Sequence, residues 1–168
     1  SGVSTNRKQG IYVAGGTLTV PAAFGFTNYY IAIGATNATF NPTTSLTVGT
    51  NATMKFDVPW TVNYPITLEA GGWLSHSPNG RSTEAYKLNL ILNAGLNIQT
   101  GGQVNVDNMG FFYFGPGYLG YYSGSSYGGQ GTSKTLTYGS ITAPTNLGSG
   151  SADKAERGGG AARLVVAG

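Results

Sequence analysis

The sequence predicts an all-β protein built as a parallel β-helix, or solenoid, from three observations. Short runs of Val, Ile, Leu, Thr and Tyr alternate with polar residues between Gly, Asn and Pro, while helix-period patterns are nearly absent. These runs recur at a coil-like spacing. Gly accounts for 28 of 168 residues and only 9% of residues are charged, so Thr, Asn, Ser and Gly must cover the surface.

One repeated unit carries most of this prediction. Segments 46–56, 66–76 and 96–106 share an apolar-any-apolar run, five turn-like positions and a second run of the same kind. Their starting residues, 46, 66 and 96, are 20 and 30 residues apart. Segment 31–40 fits as a fourth copy with one extra residue. This spacing suits the coils of a parallel β-helix.

The unit explains why stacking is needed. Two short strands joined by a Gly or Asn corner present one apolar face, which a single unit cannot bury. Stacked units bury a continuous core and pair every strand edge except those at the two ends. An antiparallel sandwich with strands every 8–12 residues is the alternative architecture. The corner inside each unit favours the solenoid.

The chain is expected to be a single module over residues 1–168, with repeat coils in 1–109 and Gly/Tyr-rich loops and a final strand in 110–168. The second part contains 15 Gly and six Tyr. A flexible linker would have this composition too. Its aromatic runs favour ordered loops that pack along the solenoid.

Composition excludes several functional classes. The formal net charge is +3, and the nine basic residues are scattered, which argues against nucleic-acid binding. Without Cys there is no disulfide scaffold or thiolate metal site, and no cofactor is expected. No apolar stretch approaches 18 residues, so membrane insertion is not expected. Because the chain starts at Ser1 rather than Met, we expect it to be processed or cut from something longer.

The C-terminal half resembles a known class of segments. The run LNIQTGGQVNVDNMGF is followed by GPG, a Gly/Tyr/Ser run, YGSITAPTNLGSG and GGGAARLVVAG. Together they resemble Gly-rich β-helical segments of large bacterial and archaeal cell-surface proteins, of the adhesin-like or pectin-lyase-like type. The resemblance covers residues 88–168 and, more weakly, the N-terminal repeats. It implies a structural stalk or adhesin piece and brings no catalytic positions with it.

The end of the chain resembles its beginning. Residues 164–168, LVVAG, match residues 11–15, IYVAG. We therefore expect Leu164–Val166 to lie against Ile11–Val13 of a neighbouring copy or of the next tandem module. The predicted self-association residues are Ile11, Tyr12, Val13, Leu164, Val165 and Val166.

Catalytic chemistry is not expected. His76 is the only histidine, and its flanking Ser75 and Ser77 do not make a triad without a positioned acid and oxyanion hole. Polysaccharide-cleaving enzymes need paired carboxylates. Among the acids, Asp153 and Glu156 alone lie close in sequence, and Glu69 and Asp107 occupy nearby positions of aligned repeats. A polysaccharide lyase or hydrolase is thus the least favoured function.

Two further groups of residues point to the surface. Trp73, Tyr121, Tyr122 and Tyr127 are candidates for a glycan-binding platform, although aromatics also pack loops onto a core. Asn37 and Asn51 each begin an Asn-Ala-Thr sequon, so the chain is a candidate glycoprotein. Aligned repeats would place both at equivalent corners, on one exposed edge.

These observations predict an extracellular or cell-surface structural protein, a subunit or module of a fibre, stalk or filament that assembles end to end. Its partners would be copies of itself or flanking modules. The alternative is an adhesin that binds polysaccharide. In the structural module the two ends of the solenoid would carry the function, and in the adhesin the aromatic surface would.

Overall fold

The computed structural model describes residues 9–113, 115–116, 127, 137–150 and 156–167, and these residues form β-strands and no helix. In chain order the strands are β1 (Gly10–Val13), β2 (Gly16–Leu18), β3 (Ala23–Phe26), β4 (Tyr30–Ile33), β5 (Ala38–Phe40), β6 (Ser45–Val48) and β7 (Thr53–Phe56). They continue with β8 (Trp60–Val62), β9 (Ile66–Leu68), β10 (Trp73–Ser75), β11 (Leu88–Leu92), β12 (Leu96–Ile98), β13 (Gln103–Val104) and β14 (Ala162–Val166).

The strands pair in parallel within four sheets. Sheet I has the order β1-β4-β7-β10-β13, sheet II β3-β6-β9-β12, sheet III β8-β11-β14 and sheet IV β2-β5. The chain runs from sheet I through sheet IV or III to sheet II, and then returns to sheet I one strand further on. Each such passage is called a circuit below. The all-β, parallel-strand prediction is confirmed, and the antiparallel sandwich is wrong because every pair of strands is parallel.

A column of left-handed residues turns the chain from sheet II into sheet I. Asn28, Asn51, Gly71 and Gly101 occupy this corner in successive circuits, with φ of 64°, 56°, 76° and 83°. Glycine adopts positive φ freely, and asparagine is the side chain that tolerates it best. The Asn and Gly residues between the apolar runs therefore set the direction of the chain at this corner.

Backbone hydrogen bonds close the same corner in the last three full circuits. The Ala52 amide donates to the Gly49 carbonyl at 3.1 Å, and Gly72 and Gly102 repeat this bond to Glu69 and Gln99 at 2.8 Å. A positive φ at the third of four residues is the signature of a type II turn. The corner is thus one turn repeated along the molecule.

The core consists of the side chains that every sheet directs inward. Within each sheet, the inward-facing side chains that pair in register form rows that run across the strands, with one residue from each strand. In sheet I one such row contains Ile31, Met54 and Leu74, all fully buried. The same burial holds in the other sheets, for Leu46, Val48, Ile66 and Leu68 in sheet II and for Leu90 and Leu92 in sheet III.

The repeat predicted from sequence is confirmed in register for three of its four copies. Leu46 pairs with Ile66 and Ile66 with Leu96, while Met54 pairs with Leu74 and Leu74 with Val104. The fourth copy, 31–40, is wrong. Ile31 pairs with Met54, so that segment crosses from sheet I to sheet IV and includes a different corner.

A long insertion separates β13 from β14. Its described residues have a small core of their own, made by Phe111, Leu147 and Ala161. Close backbone contacts surround it: the Gly110 amide donates to the Gly158 carbonyl at 2.8 Å, and Gly148 donates to Gly159 at 2.8 Å. At Gly110, Gly148 and Gly158 a β-carbon would overlap the facing backbone, so glycine lets the two backbones approach there.

Candidate functional site

The first circuit exposes a residue that occupies a core position. Ile11 of β1 pairs in register with Ile31, which is fully buried, yet Ile11 is 43% exposed. The difference arises because, among the described strands, β1 is the outer strand of sheet I and pairs only with β4. An inward-facing row of the core is therefore open to solvent at this end.

The last circuit is open in the same way. Ile98 of β12 pairs with the buried Leu68 and is 46% exposed, and Val166 of β14 pairs with the buried Leu92 and is 49% exposed. Both strands are the outer strands of their sheets. Within the part of the chain that the structure describes, core side chains are exposed and outer strand edges have no pairing strand at both ends.

The described residues at the first end carry no charge. Residues 9–54, which include both of the first two circuits, contain no Asp, Glu, Lys, Arg or His. Proteins usually place charged residues on an open sheet edge to prevent its association with other chains. Terminal units of repeat proteins normally have a polar outer face. The described part of the first circuit has no charged residue to give such protection.

The predicted self-association residues lie at these two ends but in different sheets. Ile11, Tyr12 and Val13 belong to β1 in sheet I, with Val13 buried and the other two exposed. Within the chain, Leu164, Val165 and Val166 of β14 pair with Leu90, Ile91 and Leu92 in sheet III. The match between residues 11–15 and 164–168 is therefore one of sequence, and the two strands occupy different faces of the circuits.

The candidate glycan-binding residues are only partly described. Trp73 is exposed on β10, in the outward row of sheet I that also contains Tyr30 and Thr53. Tyr127 packs edge-on against Tyr138, with ring centroids 5.2 Å apart. Tyr121 and Tyr122 lie outside the described residues.

Two aromatics on the outward face of sheet I, Tyr12 and Tyr30, were not among the candidate glycan-binding residues, although Tyr12 was predicted for self-association. Tyr12 is exposed, with its hydroxyl end over Gly34, and the ring of Tyr30 lies over Gly10. Nearby, the Lys55 ammonium lies 4.8 Å from the centre of the Tyr30 ring. The signal available in the sequence was the period-2 alternation in β1 and β4, which directs Tyr12 and Tyr30 outward.

The two sequons lie at different corners, so the prediction of equivalent corners is wrong. Asn37 precedes β5, between sheets I and IV, whereas Asn51 is in the column between sheets II and I. Both asparagines are exposed. Thr39 is exposed too, but Thr53 is buried in β7.

His76 is positioned as a core residue. It is fully buried, and its Nδ1 lies 2.8 Å from the Ser77 carbonyl oxygen. Burial lowers its pKa, so the imidazole is neutral near pH 7. The Ser75 hydroxyl donates to the Asn105 carbonyl at 2.6 Å and to the His76 carbonyl at 3.3 Å, and not to the His76 ring, so Ser75 and His76 do not form a nucleophile-base pair.

The carboxylates do not form the pair that sequence left open. Glu69 lies in the turn that precedes β10, whereas Asp107 follows β13 beyond the other end of the strands of sheet I. Among the residues the structure describes, no group of three or more His, Cys, Asp or Glu is placed to hold a metal ion.

One cleft of about 720 Å³ lies beside sheet III, with Asp57, Glu84, Lys87 and Arg163 in its lining. Its charged groups have protein partners. Glu84 pairs with Lys87 and also accepts the Leu147 amide at 3.2 Å, while Asp57 accepts the Ser77 amide at 2.6 Å. These contacts give the charges a role in holding the insertion and its neighbouring loop.

Comparison of the chain with protein-family profiles, curated proteins and solved structures gave no match in any of the three. No described segment forms a helix long and apolar enough to cross a membrane.

Proposed function

We propose that this chain is an extracellular structural module, a β-solenoid that stacks end to end into a fibre, stalk or filament. The observation that carries the proposal is the exposure of core residues at both ends, Ile11 at one and Ile98 and Val166 at the other. In each case the paired residue one circuit away is fully buried. A further circuit at either end would bury them.

The solenoid itself is supported by the circuits. Each returns to sheet I one strand further on, and pairing in sheets I and II continues in one direction from the first circuit to the last. Repeat proteins of this kind gain stability mainly from contacts between neighbouring units. Stacking a second module would extend the same contacts.

The energetics favour association at these ends. Burying an exposed Ile or Val side chain completely contributes about 1.5–3 kcal/mol, and each new backbone hydrogen bond about 0.5–1.5 kcal/mol net. Several such contacts oppose the entropy lost on association. The uncharged first circuit adds no cost of burying charge.

A matched pair of substitutions tests the proposal. Ile11 at the end and Ile91 on the lateral surface of sheet III are the same residue type with nearly equal exposure, 43% and 42%. We expect Ile11→Lys to abolish filaments seen by electron microscopy and sedimentation, while Ile91→Lys leaves them intact. Wild-type protein that stays monomeric at every concentration contradicts the proposal.

An extracellular location fits the composition. The chain combines no cysteine, few charges and a Thr/Asn/Ser/Gly-rich surface. Attached glycan at Asn37, which is exposed with an exposed Thr39, would support secretion in an organism that glycosylates sequons. Mass spectrometry of the natural protein tests this.

The second candidate function is an adhesin that binds polysaccharide. It is favoured by the aromatics on the outward face of sheet I, where Tyr12 and Trp73 are exposed. Flat aromatic faces suit contact with sugar rings. Glycan-array binding that is lost in Tyr12→Ala and Trp73→Ala, and retained in Ile91→Ala, would support this function in addition to assembly.

A further inference from the structure

The two ends of the molecule have complementary strand edges. Strand pairing is parallel within each of the four sheets. The outer edge of the first strand of a sheet and the outer edge of the last strand therefore have the polarity needed to pair with each other. We propose that modules stack head to tail with β13 of one copy beside β1 of the next, so that sheet I runs through the junction. In the same arrangement β14 pairs with β2 of the next copy. This inference rests on the proposed function and adds the register.

Sheet I supplies the first part of the register. Its inward row passes in order through Ile11, Ile31, Met54, Leu74 and Val104. Val104 ends the row half-buried, and Ile11 begins it exposed. Placing Val104 beside Ile11 of the next copy continues the row with one apolar residue in each strand.

Sheets III and IV supply the second part. In β2, Gly16 and Leu18 pair with the buried Ala38 and Phe40, so both occupy inward positions. Leu18 and Val166 each end their strand, which places Val166 beside Leu18 and Leu164 beside Gly16. A β-carbon at Gly16 would meet nothing within 4 Å, so there is room for the larger side chain.

This register differs from the pairing that the sequence match suggests. Leu164–Val166 resemble Ile11–Val13, but β14 is in sheet III and β1 in sheet I. To pair β14 with β1, the second copy would have to be rotated about the stacking axis by one face. Sheet I of the first copy would then end at β13, because β1 of the second copy would lie beside β14. In the register proposed here β12 and β3 of the next copy are separated by one strand position of sheet II, which no described strand occupies.

A second copy is the occupant that these observations favour. It provides parallel edges of matching polarity in sheet I and on the third face at once, and the described residues of the first circuit that would be covered carry no charge. An unrelated partner would have to reproduce both edges with the same spacing. The self-complementarity is heterologous, the type of contact that produces open filaments.

Cysteine cross-linking tests the register, because the chain has no cysteine of its own. Proteins with one substitution each are mixed, so that a disulfide can form only between copies. The two diagnostic mixtures are Ile11→Cys with Val104→Cys, and Leu18→Cys with Val166→Cys. The comparison mixture is Ile11→Cys with Leu164→Cys. Neighbouring strands are about 4.8 Å apart, within the Cα separation of about 4.4–6.8 Å that disulfides span.

We expect both diagnostic mixtures to convert from monomer to disulfide-linked dimer under a mild oxidant, and the comparison mixture to remain largely unlinked. Cross-linking that occurs mainly in the comparison mixture overturns the register. So does an absence of cross-links in variants that still form filaments, and in that case the proposed function survives. Wild-type protein that forms no filaments overturns both.

Discussion

Gly72 lies directly against the backbone of Val48, so closely that a β-carbon at position 72 would overlap the Val48 carbonyl oxygen. The contact joins two neighbouring circuits at the corner between sheets II and I. Gly102 repeats it one circuit later, where a β-carbon would lie 2.5 Å from the Leu68 carbonyl oxygen. The second Gly of each Gly-Gly pair is therefore needed for close stacking.

Gly72→Ala is expected to destabilise the fold by about 1–3 kcal/mol, the usual cost of forcing an extra carbon into a packed site. The obstacle is a carbonyl group in a paired backbone, so the two circuits must separate to accommodate it. Gly80→Ala is the control, because a β-carbon there meets nothing within 4 Å. Urea unfolding of both variants measures the difference. Equal midpoints for Gly72→Ala and wild type would refute the packing argument.

Asn51 provides the test of the left-handed corner. Its φ is 56°, and its side-chain amide lies 3.5 Å from the Asn28 side-chain oxygen of the preceding corner. Asn51→Val is expected to cost about 1–2 kcal/mol, because a branched side chain is strained at positive φ. Asn51→Gly should change stability much less, since glycine relieves that strain. Thermal unfolding that ranks the valine variant as the more stable of the two contradicts this explanation.

The sequence allowed the corner to be predicted but not the number of faces. Apolar spacing and Gly/Asn positions identify the unit from sheet II to sheet I, because Leu46, Ile66 and Leu96 follow one pattern. The third face has no such constancy. Its strands β5, β8 and β11 are preceded by turns of different length, so residues 31–40 were assigned to the wrong corner.

The ends show a different limit of sequence reasoning. Residues 11–15 and 164–168 both include strand residues, and the alternation of inward and outward positions in a strand is the same on every face. Only strand pairing distinguishes β1 in sheet I from β14 in sheet III. The exposure of Ile11 could not be read from its neighbours, because Ile31 has the same pattern and is buried.

Asn79 is a buried side chain that holds the loop after β10. Its Nδ2 donates to the carbonyls of Tyr86 and Met109 at 2.9 and 2.8 Å, and its Oδ1 accepts the amides of Ala85 and Tyr86 at 2.8 Å each. Asn79→Ala removes these side-chain partners from the Tyr86 carbonyl and the Ala85 and Tyr86 amides, at about 1–3 kcal/mol for each group left buried and unpaired. The Met109 carbonyl keeps the backbone amide of residue 79 at 3.2 Å. Hydrogen exchange at Ala85 and Tyr86 should accelerate.

The exposed Asn93, whose side chain bonds to Asn63 at 2.7 Å, is the matched control. Asn93→Ala should leave exchange at Ala85 and Tyr86 unchanged, because its contacts lie at another corner. Asn79→Asp is expected to be at least as destabilising as Asn79→Ala, since a carboxylate would face two carbonyl oxygens. Unchanged exchange in Asn79→Ala would show that the loop is held by other contacts.

Stability should decrease below neutral pH through His76. Burial lowers its pKa in the folded state below the ordinary value of 6.5, while the Ser77 carbonyl and Asp57 act in the opposite direction and Lys55 in the same direction as burial. The unfolded chain then binds the proton more readily than the folded one. The stabilisation is fully present above about pH 6.5 and is lost as the pH falls from there towards the lower folded pKa.

Buried His76 also lies against Gly160, where the insertion returns to the circuits, and its Nε2 has no hydrogen-bond partner, so a protonated ring would be unfavourable there. Replacing the ring with a group that does not titrate, in His76→Gln, should lower stability at pH 7.5 but flatten its dependence between pH 7.5 and 5. The slope of unfolding free energy against pH for both proteins measures this effect. The same slope in wild type and variant would assign the acid sensitivity to the carboxylates instead.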